Sequence, residues 1–426
     1  MAAVQPVKGT RDFYPEDLAF RRWLYERIRG VAESFGYQEF DGPFLERLEL
    51  YAAKSGDELV KEQSFVFADR GGDMIALRPE LTPSLARMVA MRSATLPRPI
   101  RWWSFGPFWR YERPQKGRSR EFFQWNIDLL GPDSPQADAE LASVAAAFFR
   151  SVGLLPDQIR ILVNNRRLVD AQLDAMGVPA VLRSAVIRLI DRRDRMTPPT
   201  WEKEALQIGL TNDQLPALKA LLEDREAWRA SEELKAFFEA AAALGTADYL
   251  EYDPTVIRGL DYYTGTVFEA RDVAGEYRAI LGGGRYDDLV ADVGGDPVPA
   301  VGFAMGDVVI GLVIEKYGTK PDLRTDPADV LVTTFEGQNP AESLRIAGEL
   351  RQAGLKAEWY PQGERLPKQL KFADRQGIPL IVIQGPDEAA ANEVTLKDLR
   401  RREQVRLPRG ELAARVRALL ERDPAA

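Results

Sequence analysis

The stretch VIRGLDYYTGTVFEA, residues 256–270, places an arginine, an aspartate and two tyrosines directly before an apolar run rich in β-branched residues. Such a run predicts a strand, so Arg258, Asp261, Tyr262 and Tyr263 are expected where a loop enters a sheet. A guanidinium pairs well with a carboxylate or a phosphate, and tyrosine hydroxyls hydrogen-bond to small polar ligands. The stretch therefore predicts either a binding site for a small polar ligand or a tyrosine corner beside a surface arginine.

Two residue types are missing from the chain, because its 426 residues include neither histidine nor cysteine. Their absence excludes disulfides, thiolate catalysis, cysteine and imidazole metal sites, and the serine–histidine–aspartate mechanism. Any catalysis must therefore use carboxylates, arginine, lysine, tyrosine, backbone groups or a bound ion. The net charge of −8 gives the chain no general affinity for polyanions, although residues 110–120, RYERPQKGRSR, form a locally basic cluster.

The sequence pattern predicts two domains of α+β character. Up to residue 325, strands rich in aromatic residues include a long antiparallel hairpin over 101–130, with the basic turn KGRS at its tip. Residues 166–246 carry leucine, alanine and charge at helical spacing and predict a helical insertion. After a polar, proline-bearing linker, residues 326–426 alternate strand and helix, which predicts a small α/β domain.

The chain carries no pattern typical of membrane insertion or secretion. No apolar run approaches the roughly 20 residues of a membrane span, and the N-terminal residues lack the apolar core of a signal peptide. We therefore expect a cytoplasmic protein with no membrane partner.

Polar and aromatic side chains recur at the ends of the predicted strands. They are Glu80 and Thr82 after MIALRP, Arg110 and Glu112 after WWSFGPFW, and Phe122, Gln124 and Asp128 on one face of FFQWNID. One such group is more often a structural ion pair than a ligand contact, but together they predict a floor that binds a small zwitterion and a phosphate. P-loop, GxGxxG and protein-kinase motifs are absent, and the run GGG at 282–284 predicts a tight turn rather than a phosphate cradle.

Five motifs make the chain similar to a known family over nearly its whole length. They are KGTRDFYPED, LRPELT, FWRYERPQKGRSREF, RGLDYYTGTVFE and GGGRYD, and with them the chain resembles the histidyl-tRNA synthetases, which are class II aminoacyl-tRNA synthetases. The resemblance implies an antiparallel sheet of six or seven strands flanked by helices, and a C-terminal α/β anticodon-binding domain. It also implies a homodimer that uses ATP and Mg²⁺ to form histidyl-adenylate and then transfers histidine to tRNA(His).

The same resemblance implies roles for individual side chains. Arg258 and Arg110 would be the catalytic pair, delivered from separate strands to the same α-phosphorus. The histidine site would consist of Glu80, Thr82 and Gln124 at the α-amino group, Asp128 and Tyr263 at the imidazole, and Arg258, Tyr262, Arg285 and Tyr286 around them. The ATP site would consist of Arg110, Glu112, Arg118 at the γ-phosphate and Phe122 under the adenine. Arg113 and Gln115 would contact tRNA, and no metal-ligating residue is assigned.

Two positions depart from the family pattern. Phe123 stands where the family commonly has histidine, and Val309 stands where class II enzymes carry an arginine over the free face of adenine. These departures keep two alternatives open: a non-catalytic regulatory subunit of ATP phosphoribosyltransferase, and a tRNA-sensing module without chemistry. The intact RYERPQKGR and the C-terminal domain favour the synthetase.

Overall fold

The computed structural model describes residues 4–52, 63–114, 117–258, 262–317, 323, 328–337 and 339–421. The chain forms two compact units, one of residues 1–12 and 21–321 and the other of residues 13–20 and 322–426. The domain boundary at 325/326 that the sequence predicts falls outside the described residues and stays a prediction.

The first unit contains a large sheet, a small sheet and most of the helices. Its strands are β1 (Gln38–Glu39), β2 (Leu45–Arg47), β3 (Val66–Ala68), β4 (Met74–Leu77), β5 (Ile100–Trp109), β6 (Glu121–Leu130), β7 (Ile159–Asn165), β8 (Leu250–Tyr252), β9 (Thr266–Asp272), β10 (Leu281–Arg285) and β11 (Ala300–Gly306). The helices up to the end of this unit are α1 (Pro15–Ser34), α2 (Leu48–Ala52), α3 (Thr82–Arg92), α4 (Pro135–Ser151), α5 (Arg166–Ala175), α6 (Ala180–Asp191), α7 (Pro198–Ile208), α8 (Gln214–Glu223), α9 (Glu232–Ala243), α10 (Leu289–Asp292) and α11 (Asp307–Tyr317).

The large sheet has the strand order β1-β5-β6-β11-β10-β9-β7-β8 in the described part of the chain. The six strands from β5 to β7 are antiparallel to their neighbours, whereas the short edge strands β1 and β8 pair in parallel. The antiparallel sheet that the sequence predicts is confirmed, and the two short edges extend it to eight strands. Strands β5 and β6 form the predicted long hairpin, paired from Ile100 with Leu130 to Trp109 with Glu121.

Helix α4 covers one face of this sheet. Trp125 of β6 packs on Phe148 of α4 with ring centroids 5.4 Å apart, and Phe303 of β11 meets the Trp125 ring edge-on at 4.9 Å. Burying a large apolar side chain of this kind stabilises the fold by roughly 1.5–3 kcal/mol. Because side chains alternate across a strand, the residues on either side of Trp125 and Phe303 point to the opposite face.

The glycine run at 282–284 lies inside strand β10, between β9 and β11. The predicted tight turn is therefore wrong. Glycine is usually unfavourable in the middle of a strand, but it is tolerated where another group approaches the backbone closely. Such close approaches occur on both faces of β10.

The predicted helical insertion at 166–246 is confirmed, since every residue of this range is described and none lies in a strand. Its helices α5 to α8 enclose a core in which Trp201 donates from Nε1 to the carbonyl of Leu189 over 3.0 Å. Within the described ranges, none of the helices combines the length and the apolar character that a bilayer span requires.

The second unit is a small mixed sheet with helices. Its strands are β12 (Val330–Val332), β13 (Ala357–Trp359), β14 (Leu380–Ile383), β15 (Glu393–Asp398) and β16 (Glu403–Pro408), and its further helices are α12 (Pro340–Gln352), α13 (Leu366–Gln376), α14 (Pro386–Ala390) and α15 (Leu412–Glu421). Strand β12 pairs in parallel with β13 and β14, and β15 and β16 form an antiparallel hairpin on the β14 side. This arrangement matches the α/β pattern predicted for the C-terminal residues.

Candidate functional site

The face of the large sheet opposite α4 is lined by glycines that leave room for functional side chains. A Cβ atom at Gly106, Gly282, Gly284 or Gly302 would come closer than 3.0 Å to Arg78, Arg258, Tyr263 or Asp128, in that order. Real Cβ atoms do not approach other atoms so closely, so each position requires glycine unless its neighbour moves. We call this surface the glycine face, after these four residues.

Arg258 lies against the glycine face with its guanidinium next to Gly282. Its Nη1 donates to Oε2 of Glu269 on β9 over 2.5 Å. The backbone of Arg258 has a φ of 56°, which is uncommon for any residue with a side chain, and Arg166 donates to its carbonyl over 2.5 Å. Such a fixed, strained arginine is typical of a functional site.

Glu269 joins Arg258 to a longer chain of charges. Its other oxygen, Oε1, accepts from Nε of Arg271 over 2.5 Å, and Arg271 donates in turn to Asp194 of the helical insertion over 3.0 Å. Burial opposes the charge of Arg258, but the carboxylate of Glu269 outweighs this effect, so the pKa of Arg258 is raised. The two arginines likewise offset the burial of Glu269 and lower its pKa.

Beside Arg258, five residues form a polar cluster, in which Glu80, Asp128 and Tyr286 are buried and Tyr262 and Tyr263 are partly buried. The rings of Tyr262 and Tyr263 lie 4.9 Å apart, and Tyr262 meets Tyr286 edge-on at 6.0 Å. Burial raises the pKa of Tyr263, and the charge of Arg258 lowers it. The carboxylates of Glu80 and Asp128 raise that pKa as well, so all three charged groups act on one hydroxyl.

Asp128 is a buried carboxylate of this cluster with one hydrogen-bond donor among the described residues. Its Oδ1 accepts a hydrogen bond from the hydroxyl of Tyr286 over 2.6 Å, and its residue is only 4% exposed. Burial raises the pKa of Asp128 to about 7, and the hydrogen bond from Tyr286 offsets only part of this rise. A buried carboxylate with one donor favours a ligand that supplies another N–H group.

Two further predicted residues flank the polar cluster. Thr82 is the first residue of α3, two positions after Glu80. Gln124 lies on β6 on the same side of the strand as Asp128, opposite Gly106 and Gly306 in the neighbouring strands. Phe122, Gln124 and Asp128 therefore form one row along the glycine face, as their even spacing predicts.

At the far end of this row lies a cavity of about 160 Å³, which we call the hairpin pocket. Its lining residues are Arg110, Glu112, Gly117, Arg118, Ser119, Phe122, Arg278, Gly306, Asp307, Val308 and Val309. The β5–β6 hairpin, the loop between β9 and β10, and the first turn of α11 all contribute to it. It brings together all four residues predicted to bind ATP.

The predicted ATP residues are held in place by neighbouring groups. Arg110 donates from Nε to the carbonyl of Pro79 over 2.9 Å, and its guanidinium carbon lies 5.3 Å from the ring centroid of Phe122. Arg118 forms an ion pair with the buried Glu112. Arg110 lines the hairpin pocket, whereas Arg258 belongs to the neighbouring part of the glycine face, and their convergence on one phosphorus stays a prediction.

Arg285 lies apart from the other predicted histidine-site residues. On β10 it points to the side opposite Gly282 and Gly284, and its guanidinium donates to Asp138 at the start of α4 over 2.6 Å and 2.9 Å. It also donates to the carbonyls of Pro132 and Ser134. These contacts make Arg285 a structural residue that fixes α4 to the sheet.

The residues predicted to contact tRNA are only partly described. Arg113 lies at the exposed base of the hairpin tip, and Gln115 lies outside the described residues. Their role in tRNA binding stays a prediction.

Phe123 leaves the glycine face unchanged, because it points to the other side of β6. Its ring lies 5.9 Å from that of Phe105, and the guanidinium carbon of Arg21 lies 4.2 Å from its centroid. Its backbone N–H donates to Asp307 over 2.9 Å, and Asp307 also accepts from Arg11 over 2.8 Å.

Sequence reasoning missed Glu269, Arg278 and the glycines that shape the site. Glu269 interrupts the apolar strand TVFEARD, and a carboxylate in such a strand close to Arg258 was a usable signal. Arg278 looks like an ordinary surface arginine in the sequence, and only the fold places it in the hairpin pocket.

The comparisons with known proteins place this antiparallel sheet among the class II aminoacyl-tRNA synthetases. Residues 9–307 match the histidyl-tRNA synthetase family, and residues 329–419 match the anticodon binding domain family. The chain belongs to the histidyl-tRNA synthetase family, which confirms the predicted family and the predicted class of ATP-dependent ligase.

Individual relatives agree along their whole length. The chain is 39% identical over 439 residues to the histidine–tRNA ligase of Opitutus terrae, covering 99% of this chain and 100% of that one. It is also 39% identical over 415 residues to the histidine–tRNA ligase of Halobacterium salinarum, covering 94% and 95%. The crystal structure of histidyl-tRNA synthetase from a Nostoc species superposes with a TM-score of 0.80 at 26% identity, covering 99% of this chain and 100% of that one.

Proposed function

We propose that this chain is a histidine–tRNA ligase, which activates L-histidine with ATP and transfers it to tRNA(His). The observation that carries the proposal is the row of Phe122, Gln124 and Asp128 on the glycine face. Six residues of extended strand place its ends about 20 Å apart, with the hairpin pocket at one end and the polar cluster at the other. This span suits a nucleotide and an amino acid that lie end to end.

In the activation step, an α-carboxylate oxygen of histidine attacks the α-phosphorus of ATP. The bond from that phosphorus to the bridging oxygen of the β-phosphate breaks, and pyrophosphate leaves. Negative charge grows on the non-bridging oxygens, so fixed cations lower the barrier. Arg258 and Arg110 supply these cations, and their hydrogen bonds to Glu269 and Pro79 hold them before the substrates arrive.

The polar cluster provides the selectivity for histidine. Asp128 accepts from one imidazole nitrogen, and the hydroxyl of Tyr263 addresses the other. Glu80, Thr82 and Gln124 bind the α-amino group, and Tyr262 and Tyr286 complete the walls. A ligand with an apolar side chain would add no donor to the hydrogen bond that Asp128 accepts from Tyr286 and no partner for the hydroxyl of Tyr263, and sites of this kind discriminate by a factor of roughly 10⁴ or more.

The hairpin pocket holds ATP. The ring of Phe122 forms the floor for adenine, and Arg118, oriented by Glu112, contacts the γ-phosphate. Among the described residues, no three carboxylates come together as a metal-binding group, and the pocket carboxylates Glu112 and Asp307 pair with Arg118 and Arg11. Mg²⁺ enters the site with ATP, as MgATP.

The remaining parts of the proposal concern tRNA and assembly. The hairpin tip with Arg113 and Gln115 contacts the acceptor end of tRNA(His), and the C-terminal domain contacts the anticodon. The protein acts as a homodimer. The family match at residues 329–419 supports the synthetase over the regulatory-subunit alternative.

Histidine-dependent exchange of radiolabelled pyrophosphate into ATP tests the activation step. The proposal predicts exchange with histidine and none with phenylalanine or leucine. A protein that binds histidine without exchange would instead support the regulatory alternative, whereas tight binding of tRNA(His) without exchange would support the tRNA sensor. Aminoacylation of tRNA(His) then tests the transfer step.

A further inference from the structure

The hairpin pocket has a valine at the position where class II enzymes place a nucleotide-binding arginine. Val309 lies in the first turn of α11 and lines the pocket together with Gly306 and Asp307. A Cβ atom on Gly117 at the hairpin tip would lie 3.8 Å from Cγ2 of Val309, so valine closes this side of the pocket with an apolar surface. A valine provides no charge for a nucleotide.

Another arginine lines the same pocket from a different element. Arg278 lies in the loop between β9 and β10, whereas Val309 lies on α11. Arg278 lines the same cavity as Arg118, the predicted contact of the γ-phosphate, and Arg110, the predicted contact of the α-phosphate.

Arg278 and Arg110 have no ion-pair partner among the residues that the structure describes, and Arg110 is held instead by the carbonyl of Pro79. Arg118 pairs with Glu112, and Arg258 pairs with Glu269. Arg278 is exposed at the edge of the pocket, and its partial desolvation there together with the positive charge of Arg118 lowers its pKa. Two neighbouring guanidinium groups, one of them uncompensated, favour a bound polyanion that neutralises both.

We propose that Arg278 binds the β- and γ-phosphates of ATP together with Arg118 and so supplies the cation that is missing at position 309. The inference rests on the proposed ligase function, because it assigns the hairpin pocket to ATP. In this chain the cation of the hairpin pocket comes from Arg278 in the β9–β10 loop, whereas in other class II enzymes it comes from the helix that corresponds to α11.

Calorimetric titration with MgATP and with AMP tests this assignment without depending on activity. Arg278→Ala should weaken MgATP binding by about tenfold or more, since it removes a charge-assisted contact, and should change AMP binding by less than about twofold. The double variant Arg278→Ala with Val309→Arg should recover MgATP affinity, because it returns the cation to α11. Arg278→Lys should lie between the wild type and Arg278→Ala, since lysine keeps the charge but loses the planar fork.

Glu276→Gln is the matched control, because Glu276 belongs to the same loop, pairs with Lys316 and does not line the pocket. It should bind MgATP as the wild type does. Unchanged MgATP affinity in Arg278→Ala would overturn the proposal. An equal loss of MgATP and AMP affinity would overturn the assignment to the β- and γ-phosphates.

Pyrophosphate exchange by the wild type separates this inference from the ligase function. If the wild type exchanges and Arg278→Ala binds MgATP normally, the inference fails and the function stands. If the wild type binds MgATP through Arg278 but shows no histidine-dependent exchange, the inference stands and the function fails.

Discussion

Arg258 and Glu269 form a short ion pair, with 2.5 Å between Nη1 and Oε2, on the glycine-lined face of the central sheet. The pair holds the guanidinium in the position where negative charge is proposed to develop. We expect Arg258→Ala to lower the rate of histidine-dependent pyrophosphate exchange by about 10²–10³-fold, because it removes a fixed cation. The fold should survive, since Arg271 still compensates Glu269. Circular dichroism and thermal melting check the fold, and exchange close to the wild-type rate would contradict the catalytic assignment.

Glu269→Gln tests whether the orientation of Arg258 matters as well as its presence. The amide keeps the shape of the side chain but loses the charge that holds Arg258 and Arg271. We expect kcat of exchange to fall by up to about a hundredfold, as a misplaced catalytic group can cause, with a smaller effect on the KM for ATP. Arg271→Ala is the control, because it leaves the Arg258–Glu269 pair intact. If both variants lose the same fraction of exchange activity, the loss reflects the whole chain of ion pairs from Arg258 to Asp194 and not the position of Arg258 in particular.

Gly282→Ala and Gly283→Ala form a matched pair on strand β10 with different expected outcomes. A Cβ at Gly282 would meet the guanidinium of Arg258, which is the flexible end of a side chain, whereas a Cβ at Gly283 would meet the backbone of Gly302 and Phe303. We therefore expect Gly282→Ala to fold and to lose exchange activity almost as far as Arg258→Ala does. Gly283→Ala should lower the melting temperature, because backbone atoms cannot move aside. Full activity in Gly282→Ala would show that Arg258 acts from another position.

Asp128→Asn should change how stability depends on pH in the absence of ligand. The pKa of Asp128 is raised to about 7 in the folded protein, against about 3.9 for an unfolded chain. Between these values the folded state binds more protons than the unfolded state, so this group makes stability fall as pH rises. Asparagine cannot ionise, and the variant should gain on the order of 2–4 kcal/mol over the wild type above pH 7 and little near pH 4.

Urea unfolding across this pH range measures the difference, with Asp157→Asn at an exposed position as the control. A gap between Asp128→Asn and the wild type that stays constant with pH would contradict the raised pKa. The same variant should bind histidine more weakly, because the amide has lost the charge that the imidazole N–H meets.

Sequence predicts correctly those parts of the site that the residue pattern of a single strand or hairpin determines. The row of Phe122, Gln124 and Asp128 follows from the two-residue period of an extended chain, and β6 presents it as expected. The hairpin of β5 and β6 also follows from its turn and its alternating pattern.

The parts that sequence misses depend on contacts between distant strands. Gly282 and Gly284 serve one face of β10 and Gly283 the other, which is visible only when β9 and β11 are in place. Arg285 belongs to the motif GGGRYD, but its ion-pair partner Asp138 lies 147 residues away in the sequence. This ion pair decides where the side chain of Arg285 points. Arg278 acquires its neighbours Arg118 and Val309 in the same way.

The glycine face, which lies under the proposed substrates, limits how this enzyme can evolve. At positions 282, 284 and 302, even one methyl group would displace a side chain of the proposed site, so the strands offer no room for gradual adjustment. A descendant with a new amino-acid preference would have to acquire it through the loops that carry Glu80, Tyr262 and Tyr263, while the glycine face stays as it is.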